Sequence, residues 1–392
     1  MISQRISQVS PSITLAISAK AKEMKKQGLD VIGFGAGEPD FDTPQHIKEA
    51  CIKALENGIT KYTPASGTVE LKEAVREKFL KDNGLEYSIK EIIICCGAKH
   101  ALYNAIQVLC SEGDEVLLPS PYWVSYIEQI RLAGAQPVVV RTTPETDFKV
   151  IPEILEEQIT PRTKLLILNS PSNPTGSVYS QEELEDVAAI ALRHNFFIIS
   201  DEIYEKILYD GLCHVSIAAL SADIKKKTIV INGLSKSYSM TGWRIGYAAG
   251  HEGIIKAMSN LQSHSTSNPT SFAQTGAVAA LTGPQEVVGE MVREFARRRD
   301  HLIKRLGTIA PISCTRPQGA FYAFPSIRKV LGRRAMNDSM SFCDALLEKE
   351  KVAVVPGEAF GHDDHIRLSY ATSIEHIDRG LDRIARFIEG LS

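Results

Sequence analysis

Two textures of apolar residues alternate along the chain. Short unbroken apolar runs, many of them β-branched, recur at 92–96, 115–118, 138–140, 164–168, 196–199, 228–231 and 245–249. Between several of them lie stretches with apolar residues at helical spacing, such as 100–109 and 181–194. An unbroken apolar run predicts a strand buried on both faces. Strand–helix alternation then predicts a mostly parallel sheet covered by helices. Upstream, Ile13, Ile17, Ala21 and Met24 predict a helix over 12–27, with Ser12 as its cap and Gly28 after its end. Lys20, Lys22, Lys25 and Lys26 read as its solvated face. A short strand at 31–34 and helices at 44–57 and 68–82 follow. Beyond residue 285 a long amphipathic helix, 285–306, carries Arg297-Arg298-Arg299, again read as a solvated face. Strands at 320–324, 352–355 and 366–370 then alternate with helices 338–350 and 374–389. The expectation is an α/β chain: a large domain over 41–285 built on the mostly parallel sheet, and a smaller α+β domain over 286–392 that the N-terminal segment 1–40 joins.

Chemistry gathers where the predicted strands end. The run Thr228-Ile229-Val230-Ile231 gives way to NGLSKSYSMTGWR, in which Lys236 stands among Ser235, Ser237 and Ser239, with Arg244 eight residues on. A lysine hemmed in by small residues at a strand end can form a Schiff base with a carbonyl cofactor. An arginine beside it can hold a phosphate with its planar fork. Lys99, Trp123, Asn173, Asp201, Tyr204 and Lys236 all fall at or just after strand ends, the edge at which open α/β sheets bind ligands. Gly97-Ala98 opens a helix whose first N–H groups suit a phosphate. The loop GAGEPDFDTP has two glycines near its start, which let backbone approach a ligand closely. Taken singly, each feature has a bland alternative: a solvated lysine, a packing tryptophan, an ordinary turn. Their convergence on one edge is the argument.

Composition narrows the classes. A chain of 392 residues with 44% hydrophobic and 23% charged residues can bury a sizeable core in two domains. A net charge of −3 gives no reason to expect nucleic acid or an anionic membrane as partner. Seven cysteines, at 51, 95, 96, 110, 213, 314 and 343, form no CxxC or Cys/His cluster, so free thiols and a cytoplasmic protein are expected. No run reaches the ~18 apolar residues of a membrane span, and the N-terminus lacks the apolar core of a secretory signal. His362-Asp363-Asp364-His365 fits no strong metal template and reads as an exposed turn; no metal is expected.

With these residues in view, the chain resembles the class I aminotransferases of the pyridoxal-phosphate fold type I superfamily, in the bacterial and plastid branch with aspartate and prephenate aminotransferases. The ordered motifs GAGEPDFDTP, KYTPASG, GAKHAL, SPYWVSY, NSPSNPTGSVY, SDEIYE, NGLSKSYSMTGWRIGYAAG, PQGAFYAF, VAVVPGEAFG and HIRLSYATS carry the resemblance through nearly the whole chain. It implies pyridoxal 5′-phosphate as cofactor, carried on Lys236 as a Schiff base, with Lys236 then shuttling the substrate Cα proton. Asp201 would keep the pyridine nitrogen protonated, Tyr204 and Asn173 would hydrogen-bond the ring oxygen, and Trp123 would stack on the ring. Arg244 and the Gly97-Ala98 backbone, with Lys99 beside it, would hold the phosphate. Tyr62 would reach the phosphate of a neighbouring subunit, which implies a homodimer with shared sites. Arg367 would clamp the substrate α-carboxylate, with Trp123, Asn173 and the Gly37 backbone lining that subsite. Lys99 and Thr14 match the pair that takes a second carboxylate in this branch. One departure stands out: relatives often carry a phosphate-binding serine three residues before the lysine, where this chain has Gly233. Ser235, next to the lysine, is then the candidate phosphate contact. The implied reaction is amino-group exchange between aspartate or glutamate and 2-oxo acids, with prephenate a possible acceptor. A carbon–sulfur lyase on the same cofactor needs the same lysine and aspartate and stays open. A non-catalytic regulatory module would need a DNA-binding segment, for which the chain has no spare length or basic arm.

Overall fold

The strands of the structure form where the apolar runs lie. It is a computed structural model that describes residues 2–333 and 336–391. In chain order the strands are β1 (Ile32–Gly33), β2 (Ile92–Cys95), β3 (Glu115–Ser120), β4 (Gln136–Arg141), β5 (Thr163–Asn169) and β6 (Phe197–Asp201). There follow β7 (Thr228–Gly233), β8 (Gly246–Ala249), β9 (Tyr322–Ala323), β10 (Val352–Ala353), β11 (Val355–Pro356) and β12 (Ile366–Ser369). Seven of them make one sheet in the order β2-β8-β7-β6-β5-β3-β4. Only β8 is reversed, lying antiparallel to both β2 and β7, so the sheet is mostly parallel, as expected.

Both faces of this sheet are covered, which is why its strands read as unbroken apolar runs. Along β2, Ile93 and Cys95 pack against Ala101, Leu102 and Ala105 on one face. Ile92 and Ile94 pack against Leu71, Val75 and Phe79 on the other. Two covering helices, Glu252–Ser263 and Ser271–Thr282, are not among the elements expected from sequence, although the first has Ile254, Ile255, Met258 and Leu261 at helical spacing. The second, SFAQTGAVAALT, is small and apolar almost all round, so it has no polar face to reveal its period.

The C-terminal region departs from the sequence expectation in three places. The predicted strand 352–355 is two strands: β10 pairs with β1, and β11 pairs with β12. The chain changes partner at buried Val354, which no local pattern encodes. Of the arginine run only Arg297 lies on a solvated face. On the helix Glu286–Leu306, Arg299 is 1% exposed and grips Asp210 with both Nη atoms, at 2.8 and 2.9 Å. Arg298 is buried between Asp40 and Glu294. The segment 362–365 does turn, at Asp363-Asp364, but of its four residues only Asp363 is exposed. His365 is buried, stacks on Phe324 at 4.9 Å between ring centroids, and lies 2.7 Å from Asp364, which Arg328 also pairs with. Aromatic packing and neutralised charge cover a stretch whose letters alone look wet.

The segment following β6 is anchored from behind by buried charges. The Glu202 side chain accepts hydrogen bonds from Ser200 at 2.9 Å and Ser216 at 2.6 Å, and His214 lies 3.0 Å away. Glu205 pairs with Lys78, both nearly sealed from water, and accepts from Asn83 at 3.0 Å. Burial pushes the Glu205 carboxyl up, but Lys78 and His214 more than offset this and hold it near about 2. That value lies below the ~4.3 of a free glutamate, so the stabilisation is complete above the free value and is lost as pH falls toward the folded one. Breaking a buried pair from one side costs about 3–5 kcal/mol. Glu205→Gln should lose that much in chemical denaturation at pH 7, and a loss below about 1 kcal/mol would show that the pair is incidental.

Candidate active site

Parallel register aligns the chemistry. Asn169 at the end of β5 pairs with Asp201 at the end of β6, and Asp201 with Ile231 of β7. Lys236 lies three residues past β7, and the loop beyond β2 turns through Gly97 into the helix Ala98–Leu109. These strand ends open into a cavity of about 530 Å³, closed on the other side by the N-terminal helix Ile13–Lys26, the 33–38 loop, Tyr322 and Arg367. Six cations border it, Lys22, Lys25, Lys99, Lys236, Arg244 and Arg367, against two carboxylates, Glu38 and Asp201. A cavity so biased favours anionic ligands.

Asp201 is buried. Its Oδ2 accepts from the Tyr126 hydroxyl at 2.7 Å and its Oδ1 from the Ile203 N–H at 3.2 Å. Burial raises its carboxyl to about 6 despite these donors. Lys236, half-buried, donates through Nζ to the Gly37 carbonyl. Burial pushes its ammonium down to about 8; Glu38 opposes the shift, while Arg367 and Arg244 add to it. The amine thus becomes an uncharged nucleophile and base close to neutral pH.

Arg367 on β12 is buried, with Nη1 donating to Asn173 Oδ1 and Nη2 to the Gly35 carbonyl, each at 3.0 Å. Its guanidinium sits 4.5 Å over the Tyr322 ring, and its Nε is buried without a hydrogen-bond partner. A buried donor left over on an arginine fork is a place for a ligand oxygen. Tyr204 and Tyr322 share a hydroxyl–hydroxyl bond of 2.8 Å. Arg244 adopts φ +57° and donates to the Thr241 carbonyl at 2.8 Å and the Cys96 carbonyl at 3.3 Å. Its guanidinium lies over Gly97, where φ is +89° and an added Cβ would come within 2.4 Å of Nη2. Only glycine fits between this arginine and the helix start.

Of the residues singled out in sequence, Thr14, Gly37, Ala98, Lys99, Trp123, Asn173, Asp201, Tyr204, Lys236, Arg244 and Arg367 border this one cavity. Gly97 sits behind Arg244. Lys99 Nζ lies 4.8 Å over the Trp123 ring. Ser235 is buried and does not border the cavity. Tyr62 is 90% exposed and away from the cavity of its own chain. Ser12 does not cap its helix through its side chain; its hydroxyl instead meets that of Thr14 at 3.0 Å. Lys22 and Lys25 are exposed but border the cavity rather than lying wholly on a solvated face. Sequence reading passed over Tyr126, Tyr322 and Asn169. Asn169 ties the Asp201 carbonyl to the Asn173 N–H, each at 2.9 Å. Tyr126 and Tyr322 lie inside the motifs SPYWVSY and PQGAFYAF, whose spacing alone points to no partner for either hydroxyl.

The family model for aminotransferase class I and II matches residues 29–384. The chain belongs to this family. It is 54% identical over 388 residues to an aspartate aminotransferase of Bacillus subtilis (strain 168), spanning 99% of both chains. It is 49% identical to a probable aspartate/prephenate aminotransferase of Aquifex aeolicus (strain VF5), over 99% of this chain and 98% of that one. The crystal structure of the aspartate aminotransferase from Rhizobium meliloti superposes with a TM-score of 0.97 at 44% identity, covering all of both chains. The fold of this aminotransferase is therefore the α/β fold of the pyridoxal-phosphate type I enzymes. Among its described residues no helix is long and apolar enough to cross a membrane.

Gly97→Ala tests whether the Arg244 end of the cavity takes a phosphate in this aminotransferase. The new methyl group would push the Arg244 guanidinium aside. A hydrogen bond to a charged group contributes about 1.5–3 kcal/mol, roughly tenfold or more in affinity. Titration of the cofactor-free protein with pyridoxal phosphate should show at least that loss. Unchanged affinity would remove Arg244 from the phosphate site.

Proposed function

We propose that the chain is a pyridoxal-phosphate-dependent transaminase that exchanges the amino group of aspartate or glutamate with 2-oxo acids, prephenate among them. The observation that carries this reading is the single cavity bordered by Lys236, Asp201 and Arg367, the first two shifted by burial toward neutral pH and the third with a free buried donor. The residues fit the cofactor's chemistry. Arg244 and the N–H groups at the Gly97-Ala98 helix start suit a phosphate, Trp123 a planar ring, and Tyr204 with Asn173 a ring oxygen. When bound, pyridoxal phosphate supplies an electron sink for the pair released on breaking the substrate Cα–H bond.

The chain's own groups do the rest. Asp201 holds a proton on the ring nitrogen. Lys236 Nζ, neutral above about 8, would take the Cα proton and return it two atoms away, on the carbon beyond the linking nitrogen, which is the transfer that separates transamination from lysis. Arg367 binds the α-carboxylate through its fork, and Tyr322 beneath it keeps water off one face. Lys99 and Thr14 border the same cavity on the side of the N-terminal helix, where a second carboxylate would lie. The names of the relatives support dicarboxylic substrates and transamination over a lyase.

We read the active form as a cytoplasmic homodimer in which Tyr62 serves the partner's site. Its near-complete exposure, on one stretch with exposed Ile52, Leu55 and Ile59, supports a covered face. The division into residues 41–285 and a unit of 1–40 with 286–392 is supported by the parallel pairing of β1 with β10.

Lys99→Ala discriminates the substrate class. Truncating one partner of a desolvated charge pair costs about 2–5 kcal/mol, and about 1.4 kcal/mol is tenfold. In steady-state assays kcat/KM for aspartate and prephenate should fall roughly 30-fold or more, with alanine nearly unchanged. If alanine and aspartate fall together, Lys99 serves the cofactor phosphate instead.

A further inference from the structure

Asp201 has its charge managed from an element that neither the strand nor its loop supplies. The helix Ser125–Leu132 brings in Tyr126, which is 2% exposed and borders the cavity. Its hydroxyl is 2.7 Å from Asp201 Oδ2, while the Ile203 N–H takes Oδ1 at 3.2 Å. Each carboxylate oxygen therefore has one fixed donor, from two different elements, and the plane of the carboxylate is set. The Tyr126 ring meets Trp123 edge-on at 5.3 Å, so the residue that aims the carboxylate also braces the stacking face of the cavity.

We propose that Tyr126 is a positioning residue that fixes the direction and the basicity of Asp201. The inference rests on the transaminase reading, since it is through the cofactor's ring nitrogen that Asp201 acts. The remaining ionisable neighbours make the phenol's part specific. Lys236 and Glu202 act on Asp201 with opposite sign, and the Tyr204 phenol is buried close by. Among the described residues, Tyr126 is the side chain that hydrogen-bonds the carboxylate directly. A phenol donating to a carboxylate lowers its affinity for a proton. Loss of the hydroxyl makes Asp201 a stronger base and draws the shared proton off the ring nitrogen. The electron sink weakens while the substrate-binding groups, Arg367 and Lys99, are untouched.

The test uses the holoenzyme and two variants. Tyr126→Phe removes one oxygen and keeps the ring. The pH midpoint of the cofactor's visible absorption band should rise by about half a unit to one unit, since less positive charge remains on the ring. Turnover should fall about tenfold at little-changed KM, the split expected when a group stabilises charge only as the reaction proceeds. Incorporation of 3-fluorotyrosine at position 126, a stronger donor of nearly the same size, should move the midpoint the opposite way. Shifts of opposite sign establish the proposal. A midpoint that stays put in both variants, or moves the same way in both, overturns it and leaves Tyr126 a packing residue, whatever the melting temperature does. A wild-type protein with no visible band would instead reject the transaminase reading itself.

Discussion

An ammonium and a carboxylate held away from bulk water, at the ends of two neighbouring parallel strands, are what the rest of this structure serves. Burial is the largest cause that moves Lys236 down to about 8 and Asp201 up to about 6. Neither shift would exist on a wet surface, where both groups would be fully charged and chemically idle at neutral pH. The seven-stranded sheet is the means. Six of its strands point their ends the same way, so residues far apart in sequence meet at one edge. The other wall of the cavity, formed by the N-terminal helix and β12, excludes water and adds the arginine fork.

A site of this kind is costly, and the structure shows where the cost is offset. Burying ionisable groups opposes folding unless each finds a partner. Behind the site, Glu202 and Glu205 lie one and four residues after Asp201, tied to Ser200, Ser216, His214, Lys78 and Asn83. Within it, Asp201 has Tyr126 and the Ile203 N–H, and Lys236 has the Gly37 carbonyl. Arg367 keeps one buried donor unsatisfied. Such a group is destabilising until a ligand supplies its acceptor, which would couple ligand binding to the order of this wall.

Much of this was legible in the sequence because parallel strands buried on both faces leave unbroken apolar runs, and because ligand chemistry collects at their ends. The ordered motifs extended that reading to named roles, and most of those residues border one cavity. What stayed hidden was non-local. Tyr126 and Asp201 are 75 residues apart, and nothing near Tyr126 announces a carboxylate. Arg299 looked solvated because Asp210, its partner, lies 89 residues away. The segment 362–365 looked wet because Phe148 and Phe324, which cover it, are distant in sequence. The two strands within 352–356 differ only in their partners. Hydrophobic period reports which face is buried, not what buries it.

The central claim is that Lys236 Nζ is the group that binds the cofactor carbonyl. It is tested most directly by reducing the holoenzyme with borohydride, digesting it, and locating the pyridoxyl group by mass spectrometry. The account predicts a single modified peptide, with the mass added at Lys236. A pyridoxyl group on Lys99 or on any other lysine, with Lys236 unmodified, would contradict it.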